Sequence, residues 1–127
     1  MAKAAYTPKQ QAGNYGEDLA ASHLALHGYA CVARGYRSRF GEIDIIAQND
    51  RYLLFVEVKT RRASAFAGAG VSAREAVDYR KRQRLTATAE FYLASHHTAL
   101  QPRFDVICVE LNAAGACVGV EWIENAF

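Results

Sequence analysis

The chain has 127 residues, of which 51% are hydrophobic and 22% are charged. This length supports one domain with one core, and the composition excludes a disordered protein. The sequence holds no apolar run near the roughly 20 residues that a membrane helix needs. Residues 1–11 lack the apolar stretch of a signal peptide. We therefore expect a cytoplasmic protein without a membrane partner.

The net charge of +2 hides an uneven distribution of charged residues. Residues 34–84 hold twelve Lys or Arg against six Asp or Glu, whereas residues 85–127 hold one against five. A basic segment can gather phosphate groups, which favours a nucleic-acid partner. The same counts also fit a solvated charged surface, so charge alone leaves both interpretations open.

In chain order, the first part of the sequence predicts an arm, a helix and a strand. Asn14 can cap the start of the helix and Gly28 can end it. The flexible arm covers 1–12, and a single domain over 13–127 begins with a helix at 14–27, a short strand at 29–34 and a basic loop at 35–41.

The second part predicts a hairpin, a long helix and two more strands. Asn49 and Asp50 favour a turn between the hairpin strands. Ser72 and Glu75 form a capping-box pattern for the helix. The elements are strands at 42–48 and 52–59, a mobile loop at 61–70, a helix from 72 to about 95, and strands at 103–111 and 116–123. The resulting order is α, β, β, β, α, β, β.

Zinc-binding side chains are present, but not in the patterns of zinc sites. The three cysteines, Cys31, Cys108 and Cys117, form no CxxC spacing, and we interpret them as buried, reduced thiols. His23 and His27 share a helix face without a third ligand, which favours packing or surface exposure.

The hairpin carries the candidate functional residues Asp44, Glu57 and Lys59. Glu57 and Lys59 are two apart on one strand, so their side chains leave the same face. A four-residue loop over 49–52 would set Asp44 opposite Glu57. A two-residue loop would place Glu42 there instead, and the sequence leaves this register open.

Two carboxylates and an ammonium group in one patch are typical of a metal-dependent phosphodiesterase. The carboxylates repel each other, and oxygen ligands with open water positions suit Mg²⁺ or Mn²⁺. Such an ion binds a phosphate oxygen and lowers the pKa of a bound water. Lys59 would stabilise charge at the phosphorus oxygens or orient the water. Glu17, on the first helix, is a further candidate that would act through water. A Glu and a Lys two apart are also common on a solvated strand.

The sequence has Asp44 on the first strand of a hairpin and Glu57-x-Lys59 on the second. This pattern resembles the PD-(D/E)xK signature of restriction-endonuclease-like nucleases. Ile43 stands where the signature's name has Pro. Nearly the whole chain, from about Gly13 to Phe127, resembles the uncharacterised bacterial YraN family, which is similar to archaeal Holliday-junction resolvases, compact, dimeric, metal-dependent nucleases. The segments that carry this resemblance are Gly16-Glu17, Gly41-Glu42-Ile43-Asp44, Phe55-Val56-Glu57-Val58-Lys59-Thr60-Arg61, Arg103-Phe104-Asp105-Val106 and the C-terminal Ile123-Glu124-Asn125-Ala126-Phe127.

The resemblance implies an α/β, restriction-endonuclease-like fold with an αβββαβ core, in which helices flank a mixed sheet. It also implies a role for each site residue. Asp44, Glu57 and the backbone carbonyl of Val58 would bind the metal, and Lys59 would be the catalytic lysine. The helix-borne residues implied are Glu17 as an acid, and Gln83 and Lys81 in support of the active site.

We therefore expect a metal-dependent endonuclease that hydrolyses phosphodiester bonds of DNA, with branched DNA as one candidate substrate. The residues expected to contact phosphate are Arg37, Arg39, Arg61, Arg62 and Lys81. A non-catalytic nucleic-acid-binding protein that retains the nuclease fold is the alternative, since fold and site can outlive catalysis. A structural or assembly protein is a third hypothesis. A homodimer is expected because cutting two strands requires two sites.

Two remaining interpretations concern side chains outside this site. Asp105 is interpreted as a buried strand residue that pairs with an arginine, rather than as a distant helper at the site. The tyrosines at 6, 15, 36 and 79 are able to stack on bases, but packing is the favoured interpretation.

Overall fold

A computed structural model describes residues 8–62 and 77–127. The predicted order of helices and strands is confirmed, and no helix in these two ranges has both the length and the apolar character to cross a membrane. The elements are α1 (Pro8–Leu26), β1 (Ala30–Ser38), β2 (Gly41–Gln48), β3 (Tyr52–Arg62), α2 (Tyr79–Ser95), β4 (Gln101–Leu111) and β5 (Cys117–Ile123).

The strands form one mixed sheet of five strands in the order β1-β2-β3-β4-β5. The strands β1, β2 and β3 form an antiparallel meander, β3 and β4 are parallel, and β5 is antiparallel to β4. The helix α2 lies in the connection between the parallel strands, where such a pair needs a long crossover. This confirms the predicted α/β fold with a mixed sheet flanked by helices, compatible with a restriction-endonuclease-like core.

Each face of the sheet packs against one helix, because successive strand residues point to opposite faces. On one face, α1 buries Ala20 and Leu24 against a layer that includes Leu54 and Val56. On the other face, α2 buries a row of Leu85, Ala89 and Tyr92 against a layer that includes Phe55. Glu57 follows Phe55 by two residues, so the strand alternation directs this acid toward α2.

The first helix starts earlier than predicted, and the first strand ends later than predicted. The helix begins at Pro8 rather than at residue 14, so residues 8–12 of the expected arm are helical; proline is favoured at the first helical position. The predicted loop at 35–41 is wrong, because β1 continues to Ser38 and pairs with β2 as far as Gly41. Backbone pairing with a neighbouring strand overrides the Gly- and Arg-rich local composition there.

The second helix begins later than predicted. Asp78 is the N-cap, with an extended backbone (φ −76°, ψ 174°) and a side-chain oxygen that accepts a hydrogen bond from the Lys81 amide at 2.9 Å. A continuous helix from residue 72 is therefore wrong. The capping box of Ser72 and Glu75 and most of the predicted loop at 61–70 lie outside the described residues.

The cysteines are free, but the prediction that all are buried is wrong. Cys108 is buried on the central strand β4, whereas Cys117 is partly exposed and Cys31 is exposed. Both of these lie on the edge strands β5 and β1, which the helices cover incompletely. His23 and His27 contact Trp122, with ring centroids 5.7 and 5.3 Å away, which agrees with packing rather than zinc binding.

Asp105 pairs with an arginine, as predicted. The fully buried carboxylate accepts hydrogen bonds from Nε and Nη2 of Arg103, both at 2.9 Å. It also accepts from Nε1 of Trp122 at 2.8 Å and from the backbone amide of Asn125 at 3.0 Å. Four donors thus satisfy one buried acid and fasten the C-terminal residues to β4.

The residue Gly16 allows α1 to approach β3 closely. A Cβ at this position would overlap Oγ1 of Thr60, whereas a Cβ at Gly13 would meet nothing within 4 Å. The next residue after Gly16 is Glu17, so the position of this acid depends on the close approach.

We expect Gly16→Ala to lower the free energy of unfolding by about 1–3 kcal/mol, because α1 has to move away from β3. Gly13→Ala is the matched control on the same helix and should be neutral or stabilising by about 0.5–1 kcal/mol. Urea denaturation measures both variants. Equal effects of the two substitutions would show that the approach of α1 to Thr60 is not tight.

Candidate active site

The register of the β2–β3 hairpin places Asp44 beside Glu57. The ladder between the strands runs from Gln48–Leu53 to Ile45–Val56, which is the register of the four-residue loop. Asn49 closes this loop, because its Oδ1 accepts hydrogen bonds from the amides of Arg51 and Tyr52. Asp44 precedes Ile45 and Glu57 follows Val56, so the two acids meet where the ladder ends.

Asp44 takes the place of a backbone acceptor at this point. Its Oδ2 accepts a hydrogen bond from the amide of Val58 at 2.9 Å. A partly buried strand amide needs an acceptor, and the side chain supplies it where the ladder has ended. The bond also holds the carboxylate between the two strands.

Glu57 is buried beneath α2 and shares one oxygen with two lysines. Only 5% of the residue is exposed. Its Oε1 lies 2.5 Å from Nζ of Lys81 and 3.7 Å from Nζ of Lys59. The structure therefore brings together four predicted residues: Asp44, Glu57, Lys59 and Lys81.

These acids face a cleft between β2 and α2, with a volume of about 300 Å³. The residues that line it are Gly41, Glu42, Asp44, Glu57, Lys81, Arg84 and Leu85. Gly41 has φ +154°, a conformation that side chains disfavour, and a Cβ there would lie 3.5 Å from Cβ of Arg84. This glycine therefore lets the start of β2 pass close to α2 at the rim of the cleft.

The ionisation of Asp44 differs from that of a surface carboxylate. The pKa of Asp44 is raised from 3.8 to about 7, first by burial and then by the charge of Glu57. The hydrogen bond from Val58 and the charge of Lys81 oppose this rise. A carboxylate whose ionisation is opposed by burial and by a neighbouring negative charge would be stabilised by a bound cation.

The two lysines respond to this environment in opposite directions. Burial and the neighbouring Lys81 lower the pKa of Lys59. Burial is the largest effect on Lys81 and lowers its pKa, but the hydrogen bonds to Glu57 and Lys59 and the charges of the two acids together outweigh burial and raise the pKa of Lys81. Lys81 is therefore the firmly charged partner of Glu57, and Lys59 is the lysine that gives up its proton more readily.

Glu17 acts on this site from α1 without lining the cleft. Its Oε1 lies 3.7 Å from Nη2 of Arg34. Burial raises the pKa of Glu17 although Arg34 opposes the rise, and the charge of Glu17 in turn raises the pKa of Asp44. The predicted helix-borne acid thus lies within electrostatic reach of the metal-ligand candidates.

The predicted phosphate-binding residues are spread over the surface. Arg37 is exposed and pairs with Glu42 at 2.9 Å, which places it at the rim of the cleft. Arg39 lies in the β1–β2 turn, with its guanidinium 4.9 Å from the ring centroid of Phe40. Arg61 contacts Glu110 on β4 at 3.9 Å, and Arg62 is exposed at the end of β3. Through Glu42, Arg37 contacts a residue that lines the cleft.

The structure does not bring Gln83 into the cleft. Its Nε2 donates a hydrogen bond to the hydroxyl of Tyr79 at 2.9 Å, on another side of α2. Residues three or four apart share a helix face, so Lys81 is joined in the cleft by Arg84 and Leu85. Helical spacing from Lys81 was the signal that identifies them and excludes Gln83.

Oxygen donors of the site fit a magnesium or manganese ion. Within residues 8–62 and 77–127 there is no group of three or more His, Cys, Asp or Glu side chains suited to a metal. Mg²⁺ does not need such a group, because it keeps several waters and is bound through one or two carboxylates. Asp44 and Glu57 satisfy that requirement, and the backbone carbonyl of Val58, next to Glu57 in the chain, is a further oxygen donor.

Comparisons with known proteins identify relatives of this chain. The uncharacterised protein family UPF0102 matches residues 16–109. A UPF0102 protein of Clostridium acetobutylicum is 42% identical over 119 residues, covering 93% of this chain and 94% of the relative. Those of Porphyromonas gingivalis (42% over 115 residues, 91% and 82%) and Methylobacillus flagellatus (41% over 118 residues, 93% and 97%) are similar too. The matched range includes Asp44, Glu57, Lys59 and Lys81.

The raised pKa of Asp44 makes the stability of the protein depend on pH. Between 3.8 and about 7, the folded protein holds a proton on Asp44 that the unfolded chain releases. Stability therefore falls as the pH rises through this window, and the penalty is complete above it. Asp44→Asn removes the titration but keeps an oxygen that accepts from Val58.

We expect the stability of Asp44→Asn relative to wild type to increase by about 2 kcal/mol between about pH 5 and about pH 8. Chemical denaturation in EDTA at the two pH values measures it. Asp50→Asn, at an exposed acid in the β2–β3 turn, is the control. A difference between Asp44→Asn and wild type that does not change with pH would contradict the burial of the ionised carboxylate.

Proposed function

The chain belongs to the uncharacterised protein family UPF0102, which confirms the resemblance to the YraN family, and we propose that it is a metal-dependent endonuclease that hydrolyses phosphodiester bonds of DNA. The observation that carries this proposal is the meeting of Asp44 and Glu57 at the end of the β2–β3 ladder, with two lysines on Glu57. An acid pair of this kind is costly to bury, and a divalent cation and a phosphate would relieve the cost.

Asp44, Glu57 and the carbonyl of Val58 would hold Mg²⁺ or Mn²⁺ in this proposal. The bound ion would supply Lewis-acid polarisation of the phosphate and lower the pKa of the attacking water. The amide of Val58 fixes Oδ2 of Asp44, so one ligand is oriented before an ion arrives. Glu17 is proposed to support the site from α1 through water.

The lysines would act on the phosphate and on the water. In the reaction, the water oxygen forms a bond to phosphorus, the bond from phosphorus to the leaving sugar oxygen breaks, and a proton reaches that oxygen. The lowered pKa of Lys59 suits it for orienting the water and receiving a proton from it. Lys81 keeps its charge and would stabilise the negative charge that builds on the phosphate oxygens.

Arginines around the cleft would hold the DNA backbone. Arg84 lines the cleft and Arg37 lies at its rim, so both are within reach of a phosphate next to the one that is cut. Arg39, Arg61 and Arg62 are proposed to contact the backbone farther away. Branched DNA remains a proposed substrate, and a homodimer would provide a second site for the second strand.

One observation favours the alternative of a non-catalytic nucleic-acid-binding protein. Lys81 lies 2.5 Å from Oε1 of Glu57, so the buried acid has a counter-charge without a metal. If this ion pair is permanent, the basic surface would bind nucleic acid and the acids would only support the fold. Cleavage assays separate the two functions.

We expect Glu57→Gln to lower the rate of DNA cleavage in Mg²⁺ or Mn²⁺ by about 100-fold or more, because it removes a metal-ligand candidate. The affinity for DNA measured in EDTA should persist, because the phosphate-binding arginines are unchanged. Glu90→Gln, at an exposed acid of α2, is the matched control and should cleave like the wild type. Binding without metal-dependent cleavage in the wild type would favour the alternative.

Metal binding itself is testable without substrate. We expect millimolar Mn²⁺ to raise the melting temperature of the wild type, since a ligand that binds only the folded state stabilises it. Glu57→Gln and Asp44→Asn should lose most of this increase, and Glu90→Gln should retain it. An equal increase in all four proteins would place the bound ion outside the proposed site.

A further inference from the structure

A second cleft lies beside the active-site cleft, on the outer side of α2. Its volume is about 330 Å³, and its lining residues are Phe40, Arg80, Gln83, Arg84 and Ala87. The helix residues are three, four and seven positions apart, so they form one face of α2. Arg84 lines both clefts, and a bound strand would therefore pass from one directly to the other.

Exposed aromatic rings surround this second cleft. Phe40 is 37% exposed, Phe91 is 49% exposed, and their ring centroids are 6.4 Å apart. Tyr79 is 72% exposed and accepts the hydrogen bond from Gln83. Large aromatic side chains grouped on a surface are typical of a binding site rather than of a solvated face.

The charges that line the cleft are positive, and the acid Asp78, the N-cap of α2, lies within electrostatic reach of Arg80 and Arg84. Arg80 and Arg84 line it, and the guanidinium of Arg39 lies over the ring of Phe40 at 4.9 Å. None of the residues that line this cleft within 8–62 and 77–127 is acidic. Cations interleaved with exposed rings are the combination that binds single-stranded nucleic acid, because the rings stack on bases and the cations bind phosphates.

We propose that this face, called here the Phe40 cleft, binds an unpaired nucleotide next to the phosphodiester bond that is cut. The base stacks on Phe40 and the phosphate contacts Arg80 or Arg84. A base pair within a duplex cannot lie there, because both of its faces are covered by neighbouring base pairs. The substrate is therefore DNA with a single-stranded segment beside the cut, an inference that rests on the proposed nuclease function and specifies its substrate.

A second copy of the chain fits this face less well. A two-fold contact places the same patch of both copies together, so Arg39, Arg80 and Arg84 would meet their own counterparts. Like charges brought together in this way repel, whereas phosphate complements them. Charge complementarity thus favours a nucleic-acid strand as the occupant.

The test measures binding in EDTA, where metal-dependent cleavage is suppressed. The probes are a duplex with a single-stranded tail that contains 2-aminopurine, whose fluorescence is quenched by stacking, and a blunt duplex of the same length.

Phe40→Leu keeps an apolar side chain against Phe91 but removes the flat ring. Tyr79→Ala changes the same face at a side chain too exposed to affect the core. Arg80→Gln tests the phosphate contact. Arg51→Gln, in the distant β2–β3 turn, is its control, because it removes the same positive charge away from the cleft.

We expect Phe40→Leu to weaken binding of the tailed DNA by about 5- to 100-fold and to abolish the quenching. Its affinity for the blunt duplex should be unchanged. Tyr79→Ala should weaken tailed-DNA binding in the same selective way, and Arg80→Gln should weaken it more than Arg51→Gln does. If neither Phe40→Leu nor Tyr79→Ala weakened the binding of tailed DNA more than that of the blunt duplex, the proposal would be overturned. So would sedimentation showing that Phe40→Leu converts a dimer into a monomer, since the face would then be a subunit interface.

Cleavage in Mn²⁺ separates this proposal from the nuclease function. A wild-type protein that quenches the tailed probe but cuts no DNA would refute the nuclease and retain the Phe40 cleft as a single-strand site. A wild-type protein that cuts blunt and tailed DNA equally, without quenching, would refute the Phe40 cleft and retain the nuclease.

Discussion

The hydrogen bond from the Val58 amide to Oδ2 of Asp44 is the interaction on which the candidate site depends. The ladder between β2 and β3 stops at Ile45–Val56, and a strand amide left without an acceptor beyond that point would be costly. The Asp44 carboxylate supplies the acceptor, so the strands part without that cost. The cleft opens at this end of the ladder, between β2 and α2, and the same bond fixes Asp44 beside Glu57.

The helix α2 then sets the charge balance of the cleft. Its residue Lys81 contacts the buried Glu57, and a buried acid without such a partner would be strongly destabilising. The helix also divides the surface in two, since Lys81 faces the acids whereas Gln83 faces the neighbouring cleft, and Arg84 borders both. One helix thus joins the proposed chemistry to the proposed recognition of an unpaired nucleotide.

The accuracy of the sequence predictions followed the range of the interactions involved. Alternation along β3 correctly directed Glu57 and Lys59 to one face, because that depends on the strand alone. The end of β1 and the start of α2 were misplaced, because pairing with β2 and capping by Asp78 compete with local composition. Gln83 was assigned to the site although its spacing of two from Lys81 excludes a shared helix face.

The sequence by itself determined the family, because the segments that resemble it are each continuous in the chain. It also determined the order of elements and the hairpin that carries Asp44, Glu57 and Lys59, because these depend on local periodicity and turn residues. Only the tertiary structure decided the register, which sets Asp44 beside Glu57, and the contact of Lys81 with Glu57 across the layers. It also decided the pKa of Asp44, since burial and neighbouring charges arise only when separate elements pack together. The physical reason is that each of these features joins residues distant in the chain.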